Sequence, residues 1–122
     1  MLFLNDEIET ALKNDTILTN LLGGELIYEF FECGDRDISY PRIIFEEISN
    51  VPCVSYDNDE KYSRITYRIS VCASEKLIDI VSAVIRVMIS IDFVRFSAEN
   101  IYGLPVGISG KVISFIINKE CI

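Results

Sequence analysis

The sequence contains no histidine, and its four cysteines include no C-x-x-C pair. Without histidine, neither a Ser-His or Cys-His nucleophile pair nor a histidine-containing zinc site can be built. A zinc site made of four cysteines would need a closer spacing than these cysteines have. The glycine-rich motif of dinucleotide sites and the lysine-containing P-loop are absent as well. We therefore expect no catalytic residues, no metal and no cofactor, and we predict that the protein is not an enzyme.

Positive charge and long apolar runs are also scarce. Eleven lysines and arginines stand against 19 acidic residues, which gives a formal net charge of −8. Nucleic acids and anionic membranes are bound by clustered cations, so neither is an expected partner. The amino terminus lacks the basic segment and the long apolar segment of a signal peptide. We expect a soluble protein made in the cytoplasm, with reduced cysteines.

The chain has 122 residues, of which 50% are hydrophobic and 25% are charged. This composition excludes intrinsic disorder, and this length is typical of one domain with a core of its own. We predict a single domain over residues 1–122.

Two short helices are predicted at the amino terminus. Asp6, followed by Glu9, has the pattern of an N-cap, and the apolar face that follows is interrupted near residues 14–16. Asp15 can cap a second helix, which the pair Gly23-Gly24 would end in a left-handed conformation.

Five strands and one further helix are predicted in the rest of the chain. The strands are expected at residues 26–31, 42–49, 61–73, 93–96 and 111–118, with loops at 50–60 and 98–110. Loops as long as the second are often binding elements. The final strand is apolar on both faces, so it should lie inside the sheet or be covered on both sides. The order α-β-β-β-α-β-β predicts an α+β fold, with helices packed on one face of a mostly antiparallel sheet.

The segment from Tyr62 to Ile91 is the most informative part of the sequence. Its strand alternates apolar and polar residues, and its helix keeps the polar residues on one narrow line. The apolar arc of that helix spans roughly 200°, whereas a one-sided surface helix needs roughly 100°. Either the helix lies deep between the sheet and the first helices, or an identical subunit covers the excess. Val87 and Met88 lie towards opposite edges of the arc and are the candidate interface residues.

Two polar groups are further candidates for contacts. Asp57, Asp59 and Glu60 begin like a calcium-binding loop, but the required glycine and final glutamate are missing. A solvated turn or a partner contact is the better interpretation. Arg64 and Arg68 share one face of the long strand. They belong either to a solvated sheet face or to ion pairs with a neighbouring copy.

Several segments along nearly the whole chain together form a pattern. They are Ile8-x-x-Ala11-Leu12-Lys13-x-Asp15, Leu18-x-x-Leu21-Leu22-Gly23-Gly24, Ile27-Tyr28, Tyr40-Pro41-Arg42-Ile43-Ile44-Phe45, Tyr67-Arg68-Ile69-Ser70-Val71 and Phe93-Val94-Arg95-Phe96. The pattern resembles the tail-completion, or tail-terminator, proteins of long-tailed bacteriophages and prophages. Two segments depart from it: Val71-Cys72-Ala73 replaces a pair that is often acidic and aromatic, and residues 102–110 are neutral where the family is commonly acidic.

The resemblance implies a structural role without a reaction or a cofactor. Such proteins assemble as a hexameric ring on the head-proximal end of the tail tube, stop its growth and present a surface to the head connector. The implied partners are further copies of the chain, the tail-tube protein and the head-connector protein. The implied location is the bacterial host cytoplasm during assembly and then the virion tail. Asp57, Asp59 and Glu60 would line the lumen or join subunits.

Two other functions stay open on the sequence alone. The chain could be another head–tail connector component or an adaptor. Less consistent with the sequence is a small enzyme that depends on carboxylates, since the acidic residues lie in predicted loops.

Overall fold

The computed structural model describes residues 4–23, 27–29, 41–56, 59–104 and 106–120. Within them the helices are α1 (Asn5–Asn14), α2 (Thr16–Leu22) and α3 (Leu77–Ser90). The strands are β1 (Ile27–Glu29), β2 (Arg42–Tyr56), β3 (Asp59–Ala73), β4 (Val94–Ile101) and β5 (Ser109–Glu120). The predicted α+β class and the predicted order of elements are confirmed.

The strands form one sheet in the order β1-β2-β3-β5-β4. β1 runs parallel to β2, and every other pair of neighbours is antiparallel. β3 pairs with β2 on one side and with β5 on the other along nearly its whole length. β5 lies between β3 and β4, inside the sheet, as its apolar character on both faces predicted.

The core lies between the three helices and one face of the sheet, here called the inner face. Alternate residues of the strands are buried on it, as the period of two requires. On β3 these are Ile65, Tyr67, Ile69 and Val71, and on β5 they are Ile113, Phe115 and Ile117. The ring of Tyr67 meets that of Phe93 edge to face, with centroids 5.9 Å apart, and its hydroxyl donates to the side chain of Asn5.

The break between α1 and α2 lies where the sequence predicts it, and Asp15 caps the start of α2 there. The Asp15 side chain accepts a hydrogen bond from the Leu18 amide at 3.0 Å, as an N-cap does. The same carboxylate forms an ion pair with Arg86 in α3, with 2.7 Å between Nη2 and Oδ2. Gly23 ends α2 with φ of 72°. The Asp15 carboxylate therefore caps α2 and also links α2 to α3 through an ion pair.

Two predicted helix starts are wrong. α1 begins one residue before Asp6, with Leu4 at the N-cap and no side-chain cap, so Asp6 lies in the first turn instead. An acidic residue there still interacts favourably with the helix dipole. α3 begins at Leu77 rather than just after Ser74, because Lys76 has a left-handed backbone with φ of 59°.

The strands of the central hairpin are longer than predicted. β2 continues to Tyr56, and β3 begins at Asp59, so most of the predicted acidic loop is strand. Pro52 is tolerated because the register shifts between it and Val54, a local irregularity at which a strand can admit proline. β4 and β5 are also longer than predicted, which shortens the loop between them to residues 102–108.

Replacing Asp15 with alanine should lower the free energy of unfolding by about 1–2 kcal/mol, because the cap of α2 is lost. Arg86→Ala removes only the ion pair of a half-exposed arginine and should cost less than about 1 kcal/mol. Urea denaturation of both variants measures the difference. Equal losses would show that the cap contributes nothing beyond the ion pair.

Candidate interaction surfaces

The face of the sheet opposite the helices, here called the outer face, carries Arg64 and Arg68. Arg68 forms an ion pair with Glu46 on β2, with 2.6 Å between Nη2 and Oε1 and a second hydrogen bond from Nε at 3.0 Å. Nε of Arg64 donates to Oδ1 of Asn118 on β5 at 3.3 Å. Both arginines thus have partners inside the chain, so the prediction that they pair with carboxylates of another copy is not needed to explain them.

The outer face has a shallow depression of about 370 Å³ beside this ion pair. Its lining comes from β2, β3, β4 and β5, and consists of Ile44, Glu46, Arg68, Ser70, Asn100, Ile101 and Val112. Half-buried apolar side chains alternate there with hydroxyl and charged groups. Such a mixture fits a solvated sheet face.

Two of the three acidic candidates, Asp59 and Glu60, lie where β3 begins. Asp57 is outside the described residues, whereas the backbone of Asp59 and Glu60 forms the first residues of β3. Whether these residues face a lumen or another subunit therefore stays a prediction.

Val87 and Met88 do not lie at a surface. Both are buried in the hydrophobic core beneath α3. On an ideal helix each lies within about 60° of Val84, the centre of the buried face. The sheet, α1 and α2 all contact α3. Their assignment as interface residues is wrong for this reason: neither can contact a second copy of the folded chain.

Large apolar side chains are instead exposed on α3 and on β4, where Val94 stands opposite Ile116 of β5 and so lies on the outer face. Ile78 and Ile89 on α3 are 65% and 56% exposed, and Val94 and Phe96 on β4 are 62% and 59% exposed. We call these four residues the apolar edge. α3 reaches β4 through a turn of only three residues, in which Asp92 is left-handed with φ of 74°. The four side chains therefore belong to two consecutive elements.

The orientation of α3 places its two exposed isoleucines away from α2. The opposite flank of α3 lines a depression of about 410 Å³ that it shares with α2, through Asp79, Ser82, Ala83 and Arg86. Around the axis of α3, Ile78 and Ile89 lie about 120–140° from Val84, on the other side of the line of polar residues. The sequence therefore contains a signal for these two exposed positions, because the apolar residues next to the polar line are the ones that are not buried in the core.

β4 is the last strand of the sheet in the described part of the chain, so one side of it has no strand partner there. A register shift lies between Arg95 and Ser97, and the charged side chains of Arg95 and Glu99 are exposed. Bulges and charges of this kind protect an edge strand against the addition of another strand. A partner at the apolar edge is therefore expected to contact side chains rather than extend the sheet.

The described residues include no group of three or more cysteine, aspartate or glutamate side chains that could hold a metal ion. Over the same residues, no helix has the length and apolar character needed to cross a membrane.

Comparison with models of known protein families finds no match, and comparison with curated protein sequences finds none either.

Replacing Val87 or Met88 with aspartate should unfold the protein, since each change buries a carboxylate without a partner. Circular dichroism and thermal denaturation of the two variants test this expectation. A variant that stays folded with a near-normal melting temperature would show that its side chain lies at the surface, contrary to the burial described above.

Proposed function

We propose that this chain is a structural protein that assembles into a ring and completes the tail of a long-tailed bacteriophage or prophage. In this role the ring ends the tail tube and joins it to the head connector, without catalysing a reaction. It would assemble in the bacterial host cytoplasm and remain in the virion tail. The resemblance in sequence suggests the role and a ring of six copies.

The apolar edge is the observation that carries the proposal. Its four large apolar side chains are exposed although each would be favoured by about 1.5–3 kcal/mol if fully buried. Large apolar side chains left exposed on two consecutive elements favour a contact with another protein. A second copy of the chain is the partner that a ring requires.

The two lateral edges of the sheet differ, which is compatible with a head-to-tail contact between copies. In the described part of the chain, one edge is formed by β4 beneath α3, and the other is formed by β1, which α1 contacts. A head-to-tail contact joins two different surfaces and closes into a ring when the rotation between copies is suitable. The alternative, a two-fold dimer, would bury the apolar edge against itself.

The test replaces the exposed isoleucines of α3 with aspartate. Ile78→Asp and Ile89→Asp should leave the fold intact, because neither side chain is in the core, and should abolish self-association by placing charge in the contact. Sedimentation velocity over a range of concentrations, with and without purified tail tubes, measures the mass of the assembly. The wild-type protein is expected to reach the mass of a hexamer.

The matched control is Ile17→Asp on α2, which changes an equally exposed isoleucine outside the apolar edge. This control should assemble like the wild type. The proposal fails if the wild-type protein stays monomeric at all concentrations and does not bind tail tubes in electron micrographs. An assembly that stops at two copies would exclude the ring.

A further inference from the structure

The outer face of the sheet is open along the middle of β3 and β5 but covered at one end. Its residues are the even-numbered ones of both strands, because the odd-numbered ones form the inner face. At positions 64–70 and 112–118 these residues are exposed or half-buried, whereas Cys72 is 5% exposed and Gly110 is buried. Cys72 and Gly110 stand opposite each other in the register. Since the helices lie on the inner face, another segment must cover this pair.

The loop of residues 102–108, here called the flap, covers the pair through Leu104. A Cβ added to Gly110 would lie 2.8 Å from Cδ1 of Leu104 and 3.1 Å from Cδ1 of Ile101, so these two methyl groups fill the space beside the glycine. The Cβ positions of two directly opposed strand residues are about 4.5–5.5 Å apart. The Leu104 side chain therefore lies over the floor that Cys72 and Gly110 form.

Most other described residues of the flap are exposed. Tyr102 and Val106 are 86% and 105% exposed, and Gly103 and Gly107 are exposed as well, whereas Leu104 is half-buried. Both glycines have a left-handed backbone, with φ of 82° and 85°, and a Cβ added to either would meet no atom within 4 Å. Glycine changes its backbone conformation more easily than other residues do. The flap therefore has one apolar anchor between two conformationally permissive positions.

We propose that the flap is a conformational device, which opens when Leu104 leaves Gly110 and the segment between the two glycines moves away from the sheet. The burial of one half-buried leucine is small beside the stability of a whole domain, so opening requires much less free energy than unfolding. The open state exposes the Cys72 thiol to solvent while the core stays intact. This inference goes beyond the proposed function and does not depend on it.

Ile101 connects the flap to the depression on the outer face. Its side chain lines that depression together with Ile44 and Val112, and its Cδ1 also approaches Gly110 beside that of Leu104. The closed flap therefore borders the depression at one end. When the flap opens, the depression extends towards Cys72, so the position of Leu104 determines how large a group the outer face can accommodate.

The experiment measures how fast iodoacetamide alkylates Cys72 in the full chain, with mass spectrometry of the Cys72 peptide as the readout. In the wild type the rate should hardly change with urea well below the unfolding transition, since opening the flap exposes little surface. Leu104→Ala should raise the rate about tenfold, because the anchor is lost. Gly110→Ala should raise it by a similar factor, because the new Cβ displaces the Leu104 methyl group.

Leu21→Ala is the matched control, since it shortens a half-buried leucine of α2 that packs on the core away from the flap. The alkylation rate of this control should stay within about twofold of the wild-type rate. An equal rise in Leu21→Ala and Leu104→Ala would overturn the proposal, as would a wild-type rate that rises steeply from the lowest urea concentrations. Equal rates in Leu104→Ala and the wild type would also overturn it, and would point to Arg42, which stands opposite Cys72 on β2, as the cover.

Discussion

The alternation of apolar and polar side chains along β3 is the constraint on which the structure depends. β3 pairs with β2 and β5 on its two sides, so its inner face sets the inner face of both neighbours. A slip of one residue would turn Tyr67 and Ile69 out of the core and bury Arg68 in their place. The positions of the helices, the ion pairs of the outer face and the exposed ends all follow from that register.

The sequence predicts well the features that depend on residues close together in the chain. The cap at Asp15 and the left-handed Gly23 are formed by contacts within four residues, and both are confirmed. The lengths of β2 and β3 were wrong because strand extent depends on pairing between distant segments, and such pairing holds Pro52 and Asn50 in a strand despite their local preferences. The acidic composition of that segment suggested a loop that tertiary contacts override.

The candidate site was only partly predictable, for a related physical reason. The width of the apolar arc of α3 is visible in the sequence, but the number of elements that cover it is not. α1, α2 and the sheet together bury Val87 and Met88, and the surplus lies further round the helix at Ile78 and Ile89. The exposed residues of β4 had no comparable signal, because an edge position is a property of the assembled sheet.

α3 lies between two left-handed residues, Lys76 at its start and Asp92 after its end. Neither is glycine, so each backbone conformation costs about 1–2 kcal/mol and persists only because the surrounding packing demands it. The helix cannot turn about its own axis without changing both junctions. Ile78 and Ile89 therefore face outward before any second copy arrives, and association loses little conformational entropy in ordering them.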